Sequence, residues 1–379
     1  MTIGKKAAWT AALAAIVAGG LTTGRTGAQA PLPQPQIPQP NFHSNEDTSR
    51  FGVPADQIKA GVLPDFNSLR DRLVVIPVQG SVFLIGGAGA NIAMQIQNDG
   101  VLLVDAGAEA AADKVVAEVK RYAPRTLRYI INTSASMENT GGNEKVAKGG
   151  AAPPAAGNVG GQAFNGAGAP ILAFETVLNR MSAPVGQTAS RPTDAWPTDT
   201  FFTAKKNLWF NNEAIEMWHQ PAAHSDGDLI VFFRRSDVIA AGNLLSADRF
   251  PFIDADKGGS LQGIIDGLNR IVGAAVPQYN QQGGTRIIGG HGRVYNQTDV
   301  VEYRDMSTII RDRVTTMVKK GMTLEQVKAA KPTLEYDGQY GQVASWNTDA
   351  FLGEVYKELT KPAAAPAAAG KKPAAPAKK

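Results

Sequence analysis

Between Arg72 and Gly107 the chain alternates short apolar runs with turn residues. Arg72–Pro77 (RLVVIP) and Ser81–Ile85 (SVFLI) are apolar and β-branched, as strands are. Asn91–Gln97 keeps a strict two-residue period, with Ile92, Met94 and Ile96 on one face. Asn98-Asp99-Gly100 then supplies a tight hairpin turn into Val101–Val104. The period lengthens over Glu109–Tyr122, where Val115, Val116, Val119 and Tyr122 mark the buried side of a helix. Leu127–Asn132 returns as a strand, and Ile171–Met181 reads as strand then helix. Leu208–Phe210, Ala214–Trp218, Leu229–Phe233, Asp237–Ala241 and Arg286–Gly289 are further strands, and Ile264–Ile271 has helical spacing. Ala189–Thr203 shows no period and is expected to be an irregular loop.

Beyond residue 295 the pattern is helical. Thr298 is placed to cap a helix to Lys320, with Val301, Ile310, Val314 and Met317 as its apolar stripe and Gly321 as its stop. Thr323-Leu324-Glu325-Gln326 is a capping box, and a last helix covers Thr348–Leu359. This pattern divides the chain into a folded body at 69–295, a helical extension at 296–360 and a Lys/Ala/Pro tail at 361–379, with a Gly/Ala/Pro-rich insertion at 148–170. A proline-rich linker (31–68) precedes the body. Residues 1–30 read as an export signal: Lys5 and Lys6, an apolar run from Ala7 to Leu21, and a small-residue cleavage pattern after Ala28 or Ala30. A periplasmic or secreted bacterial protein with no transmembrane domain after cleavage is therefore expected.

Composition narrows the chemistry. The chain has 379 residues and no cysteine, which removes disulfides, thiolate metal sites and thiol nucleophiles. The formal charge of +4 belongs to the ends. Eight of the 38 Lys and Arg lie in the leader and tail, where no acid occurs, so residues 31–360 carry 30 basic against 34 acidic groups. Such a body has no electrostatic reason to seek nucleic acid. Neither Ser-x-x-Lys nor Gly-x-Ser-x-Gly occurs, so the serine-hydrolase signatures are missing. Gly87-Ala88-Gly89-Ala90-Asn91 lacks a third glycine and precedes a strand, which makes it a hairpin connection and not a phosphate loop.

The strand ending at Asn132 delivers Asn132-Thr133-Ser134-Ala135-Ser136-Met137-Glu138-Asn139-Thr140-Gly141-Gly142-Asn143. Other islands are Leu103-Val104-Asp105-Ala106-Gly107, His224-Ser225-Asp226-Gly227-Asp228, Ala241-Gly242-Asn243-Leu244-Leu245 and Ile288-Gly289-Gly290-His291-Gly292. In order and spacing these resemble the N-T-H-x-H-x-D-H-x-G-G-N, D-x-G, H-[ST]-x-G-D, G-D-L-L and P-G-H-G motifs of the metallo-β-lactamase superfamily, over about residues 72–295. The resemblance implies a four-layer αβ/βα sandwich, here with a C-terminal helical extension. Active relatives hold two zinc ions with six histidine and aspartate positions from these motifs and one bridging aspartate. At the matching positions this chain has Ser134, Ser136, Glu138, Asn139 and Asn243, and keeps only His224 and His291.

Serine and asparagine are poor zinc ligands, and Asn243 lacks the bridging charge. A structural zinc site is worth roughly 10–16 kcal/mol in peptides, so losing two of three ligands at the first site should abolish it. The leading expectation is a protein with no cofactor that binds a small molecule or an envelope component without hydrolysing it. The alternative is a hydrolase with one divalent ion, such as zinc, held by Glu138, His291 and His224, with Asn139, Asn243 or His219 assisting. Asp105 is expected to organise the loop by accepting hydrogen bonds, and Asp226 and Asp228 to hold the turn after His224. His43 lies in the linker and is expected to face solvent. A third class, attachment to envelope polyanions through the basic tail, competes with a tail that only solubilises.

Overall fold

A computed structural model of the protein describes residues 73–123, 125–153, 168–185, 188–278 and 283–361. The leader, the linker with His43, residues 154–167 of the insertion and the tail beyond Lys361 lie outside them.

The two-residue period builds a first sheet. Strands β1 (Val74–Gln79), β2 (Val82–Gly86), β3 (Ile92–Gln97) and β4 (Gly100–Val104) form an antiparallel meander. The Asn98-Asp99 turn joins Gln97 to Gly100 in register. Helix α1 (Ala112–Tyr122) then crosses over to β5 (Leu127–Ile131), which pairs parallel with β4. After the short helices α2 (Met137–Thr140) and α3 (Asn143–Lys148), β6 (Ile171–Phe174) adds in parallel and leads into α4 (Glu175–Ser182). A small hairpin, β7 (Pro184–Val185) with β8 (Thr188–Ala189), precedes β9 (Asp199–Phe201), which closes the seven-stranded sheet. The stretch expected to be a loop therefore contains a strand. With three residues, β9 is too short to show a period, and pairing with β6 is what makes it a strand.

A second, six-stranded sheet runs β10 (Lys205–Phe210), β11 (Glu213–Gln220), β12 (Asp228–Phe233), β13 (Val238–Gly242), β14 (Arg286–Gly289) and β15 (Val294–Tyr295). Its strands pair antiparallel except for β13 with β14, which are joined through α5 (Leu261–Ala274). The two sheets face each other. Leu102 and Val104 of β4 point inward with Leu229, Val231 and Phe233 of β12 and form the middle core. Val101 and Leu103 point outward to Val115 and Val119 of α1, while Ile230 and Phe232 point to α5. Each of these strands is buried on both faces, which is why it reads as continuous apolar sequence and not as alternation. Each fully buried Val, Leu or Phe contributes about 1.5–3 kcal/mol. The result is a helix–sheet–sheet–helix sandwich.

The C-terminal helices α6 (Gln297–Lys319), α7 (Leu324–Ala329), α8 (Asp337–Tyr340) and α9 (Thr348–Thr360) continue the core under α5. The cap of α6 is Asn296, in a capping box with Asp299, and not Thr298. The buried stripe correspondingly runs through Val300, Tyr303, Met306, Ile310 and Val314, so Val301 and Met317 sit at its edges. The Thr323–Gln326 capping box forms as expected. Phe351 of α9 stacks on Phe250 with centroids 4.7 Å apart, and Glu358 accepts the Leu261 N–H at 2.6 Å, capping α5. Among the described residues no helix is long and apolar enough to cross a membrane.

Candidate functional site

The motif islands converge where strands end. β5 runs into the Asn132–Asn143 loop, β4 into Asp105, β13 into Asn243 and β14 into His291. The frame of the loop is braced by a reciprocal amide pair. Asn132 Nδ2 donates to Asn143 Oδ1 at 3.0 Å, and Asn143 Nδ2 donates to Asn132 Oδ1 at 2.8 Å. Gly142 presses so close to the Ala106 carbonyl that a Cβ would collide with it. Gly242 adopts φ +51° against the Thr133 side chain, so it needs glycine for both conformation and space.

Asp105 follows the last residue of β4 at φ +68°, a left-handed conformation that only a few side chains tolerate. Three donors hold it there: Thr133 N–H at 2.8 Å, Thr133 Oγ1 at 2.6 Å and Asn139 Nδ2 at 2.8 Å. Burial pushes its pKa up to about 7, against the pull of those donors.

From Asp105 a chain of hydrogen bonds runs across the cleft. Asn139 donates to Asp105 and presents Oδ1 to Asn243 Nδ2 at 3.0 Å. The same Asn243 Nδ2 donates to Glu138 Oε1 at 3.1 Å. Glu138 Oε2 lies 3.1 Å from His291 Nε2, which donates because a carboxylate can only accept. That bond, ahead of any other effect, holds the Glu138 carboxyl below its ordinary pKa. The amide orientations are fixed from both ends. Flipping Asn243 would set its oxygen against the carboxylate of Glu138 and the oxygen of Asn139. Asn139 cannot flip without setting its own oxygen against Asp105.

His224 is buried in the same region, within electrostatic reach of Glu138. Neither of its ring nitrogens has a hydrogen-bond partner, and Asn243 Oδ1 is likewise buried and unpartnered. Its Nδ1 is 3.5 Å from Asp228 Oδ1, too long for a hydrogen bond, and Phe252 lies over it at 5.3 Å between centroids. Asp228 is spent on the turn, accepting from Ser225 N at 2.6 Å and Ser225 Oγ at 3.1 Å, and Asp226 pairs with Arg180 at 2.9 Å.

Of the residues singled out in the sequence, Glu138, Asn139, Asn243 and His291 come into direct contact, and Asp105 joins them through Asn139. His219 is directed elsewhere. It stacks on Phe174 at 3.4 Å between centroids, and its Nε2 lies 2.8 Å from the Asp226 carbonyl. Ser134 is buried and accepts from Ser136 N at 3.3 Å, and the Ser136 carbonyl accepts from Thr140 Oγ1 at 3.0 Å, so both serines build local turns.

Two residues were not singled out. Asn91, at the end of the Gly87–Asn91 connection, donates to the carbonyls of Gly289 and Gly292, both at 3.1 Å, and its N–H reaches the Gly290 carbonyl at 2.7 Å. The same connection reaches the Glu138 carbonyl through Ala90 N–H at 3.1 Å, so it ties the two halves of the site together. Arg249, whose charge also lowers Glu138, sits beside the cleft in a bidentate pair with Asp248. An asparagine after a glycine-rich hairpin was the available signal for Asn91. Arg249 had none.

The fit of a metal can be judged from these donors. Asn243 directs an N–H pair, not lone pairs, between Glu138 and Asn139. Among the described residues no group of three or more His, Asp or Glu stands close enough to hold an ion. The unpartnered atoms left over, on His224 and Asn243 Oδ1, fall short of what a divalent ion requires. The residues do not fit the zinc centre that the motifs imply.

The helix–sheet–sheet–helix order, with the loops of both sheets meeting along one edge, defines the metallo-β-lactamase fold. Solved structures are similar to the chain at that level. A stereoselective inverting sec-alkylsulfatase from Pseudomonas sp. superposes with a TM-score of 0.56 at 12% identity, covering 76% of this chain and 50% of that one. A double mutant of the same sulfatase gives 0.55. The chain thus spans about half the length of that sulfatase. A metallo-β-lactamase from Pontibacter korlensis has a TM-score of 0.46 at 14% identity, covering 62% of this chain and 99% of that one. No protein-family model and no curated protein sequence matches the chain.

Proposed function

We propose that this protein uses the metallo-β-lactamase fold to bind a ligand without hydrolysing it, and that it works in the bacterial envelope. One observation carries the reading: the hydrogen-bond chain Asp105–Asn139–Asn243–Glu138–His291, whose centre offers protons where a metal would need lone pairs. Without a metal, water keeps a high pKa and no hydroxide forms near neutrality. The unpartnered ring of His224, which can offer one donor and one acceptor, and the acceptor Asn243 Oδ1 suit a polar ligand, or a water, held by hydrogen bonds in the cleft. The envelope assignment rests on the leader sequence, and fractionation of the native host checks it.

Metal analysis of protein purified from its native compartment tests the main point. Sub-stoichiometric metal is expected. About one tightly bound ion per chain, lost in His291→Ala, would sink the proposal in favour of a single-metal hydrolase. A fivefold repair (Ser134→His, Ser136→His, Glu138→Asp, Asn139→His, Asn243→Asp) is expected to bind zinc, because the backbone frame that presents those positions is in place. A folded repair variant that stays zinc-free would count against the resemblance.

A further inference from the structure

Among the described residues the two large sheets have four edge strands, β1 and β9 on the first and β10 and β15 on the second. An open edge presents unpaired N–H and C=O groups, and proteins usually blunt it with a proline, a bulge or a very short strand. Three of the four are blunted in this way. β1 carries Pro77 and shifts register between Pro77 and Gln79, β9 has three residues and β15 has two. β10 differs. It has six residues, no proline and an unbroken register with β11, from Lys205 opposite Trp218 to Phe210 opposite Glu213.

The backbone of β10 faces two ways. Opposed residues of an antiparallel pair alternate between exchanging bonds and not. The Ala204 carbonyl accepts from His219 N–H at 3.1 Å, so Lys206, Leu208 and Phe210 bond to β11, while Lys205, Asn207 and Trp209 turn their N–H and C=O groups outward. Among the described residues only the exposed Thr203 hydroxyl meets any of these, at the Lys205 carbonyl (2.9 Å). The side chains of the same three residues share one face of the sheet. Trp209 on that face is 69% exposed, and Phe202, at the entry to the strand, is 77% exposed. Lysines can also blunt an edge. Here both are folded back on their own chain, with Lys205 Nζ 2.9 Å from Glu216 and Lys206 Nζ 2.7 Å from Asp199.

We propose that β10 pairs antiparallel with β10 of a second copy of this chain, joining two six-stranded sheets across a two-fold axis at Asn207. The strand fits itself in that register. Asn207 meets the partner's Asn207 and exchanges backbone bonds with it. Lys205 lies opposite the partner's Trp209, and Trp209 opposite the partner's Lys205. Each lysine then packs on an indole, a contact made twice. A symmetric contact of this kind closes as a dimer and leaves no β10 edge open. It does not depend on what the cleft binds.

Sedimentation velocity on the full chain, from about 5 to 200 µM, tests the pairing. A monomer–dimer equilibrium with a dissociation constant on the order of 10 µM is expected. Asn207→Pro removes an outward N–H without touching the bonds to β11, so it should melt as the parent does and remain monomeric. Trp209→Ala should raise the dissociation constant at least about tenfold. If the proline variant melts early, the tryptophan variant decides. A chain still monomeric at about 200 µM, its edge left to another protein or to its own termini, overturns the proposal. So does a dimer undiminished in a folded Asn207→Pro or in Trp209→Ala.

Discussion

At the scale of single residues the cleft is governed by which way two amides point. Asn243→Asp would set a carboxylate against Glu138 Oε1 and the Asn139 oxygen, where a donor now stands. We expect it to destabilise the protein by about 1–3 kcal/mol, read as a lowered midpoint in urea. Zinc should not restore the loss in this single variant. Asp105 makes a pH prediction. Its folded pKa of about 7 exceeds the ordinary aspartate value of 3.8, so the folded state holds the proton more tightly and stability falls as pH rises across that window. Asp105→Asn should be less stable at every pH but show a flatter slope between about pH 4 and 7 in urea titrations. Legibility at this scale was uneven. The motif spacing gave the positions of Glu138, Asn139, Asn243 and His291, because strand ends fix where loop residues go. It did not give the bonds between them, since asparagine is donor and acceptor at once and its role depends on its neighbours.

At the scale of elements, a buried carboxylate joins the two sheets. Glu213 opens β11 and is 2% exposed. It accepts from Ser81 and Gln95 of the first sheet and from Arg235 N–H, Ser236 N–H and Ser236 Oγ of the second. Glu213→Gln would turn one acceptor into a donor facing donors, and a loss of about 1–3 kcal/mol is expected by thermal or urea melting. Nothing about Glu213 stood out in the sequence. The long buried strands were legible from their apolar runs, and α1 from its four-residue spacing. The cap of α6 was misplaced by two residues because Asn296 and Thr298 are both good caps, and only the Asp299 side chain returning to the Asn296 N–H decides between them.

At the scale of the whole molecule the C-terminal helices complete the core instead of decorating it. Removal of residues 348–379 would strip Phe351, Leu352 and Val355 from the cluster around α5 and uncap Leu261. We expect that truncation to bind a hydrophobic dye and to lose its cooperative melt, whereas removal of 362–379 alone should leave the melt unchanged. The sequence marked these segments as helical but could not show that they share a core with the second sheet, since an amphipathic stripe does not name its partner. Their position also sets a schedule. Synthesis proceeds from the N-terminus at about 5–20 residues per second, and the aromatic stack of Phe351 on Phe250 cannot form until nearly the whole chain has left the ribosome. A protein whose keystone emerges last stays unfinished until synthesis is nearly complete.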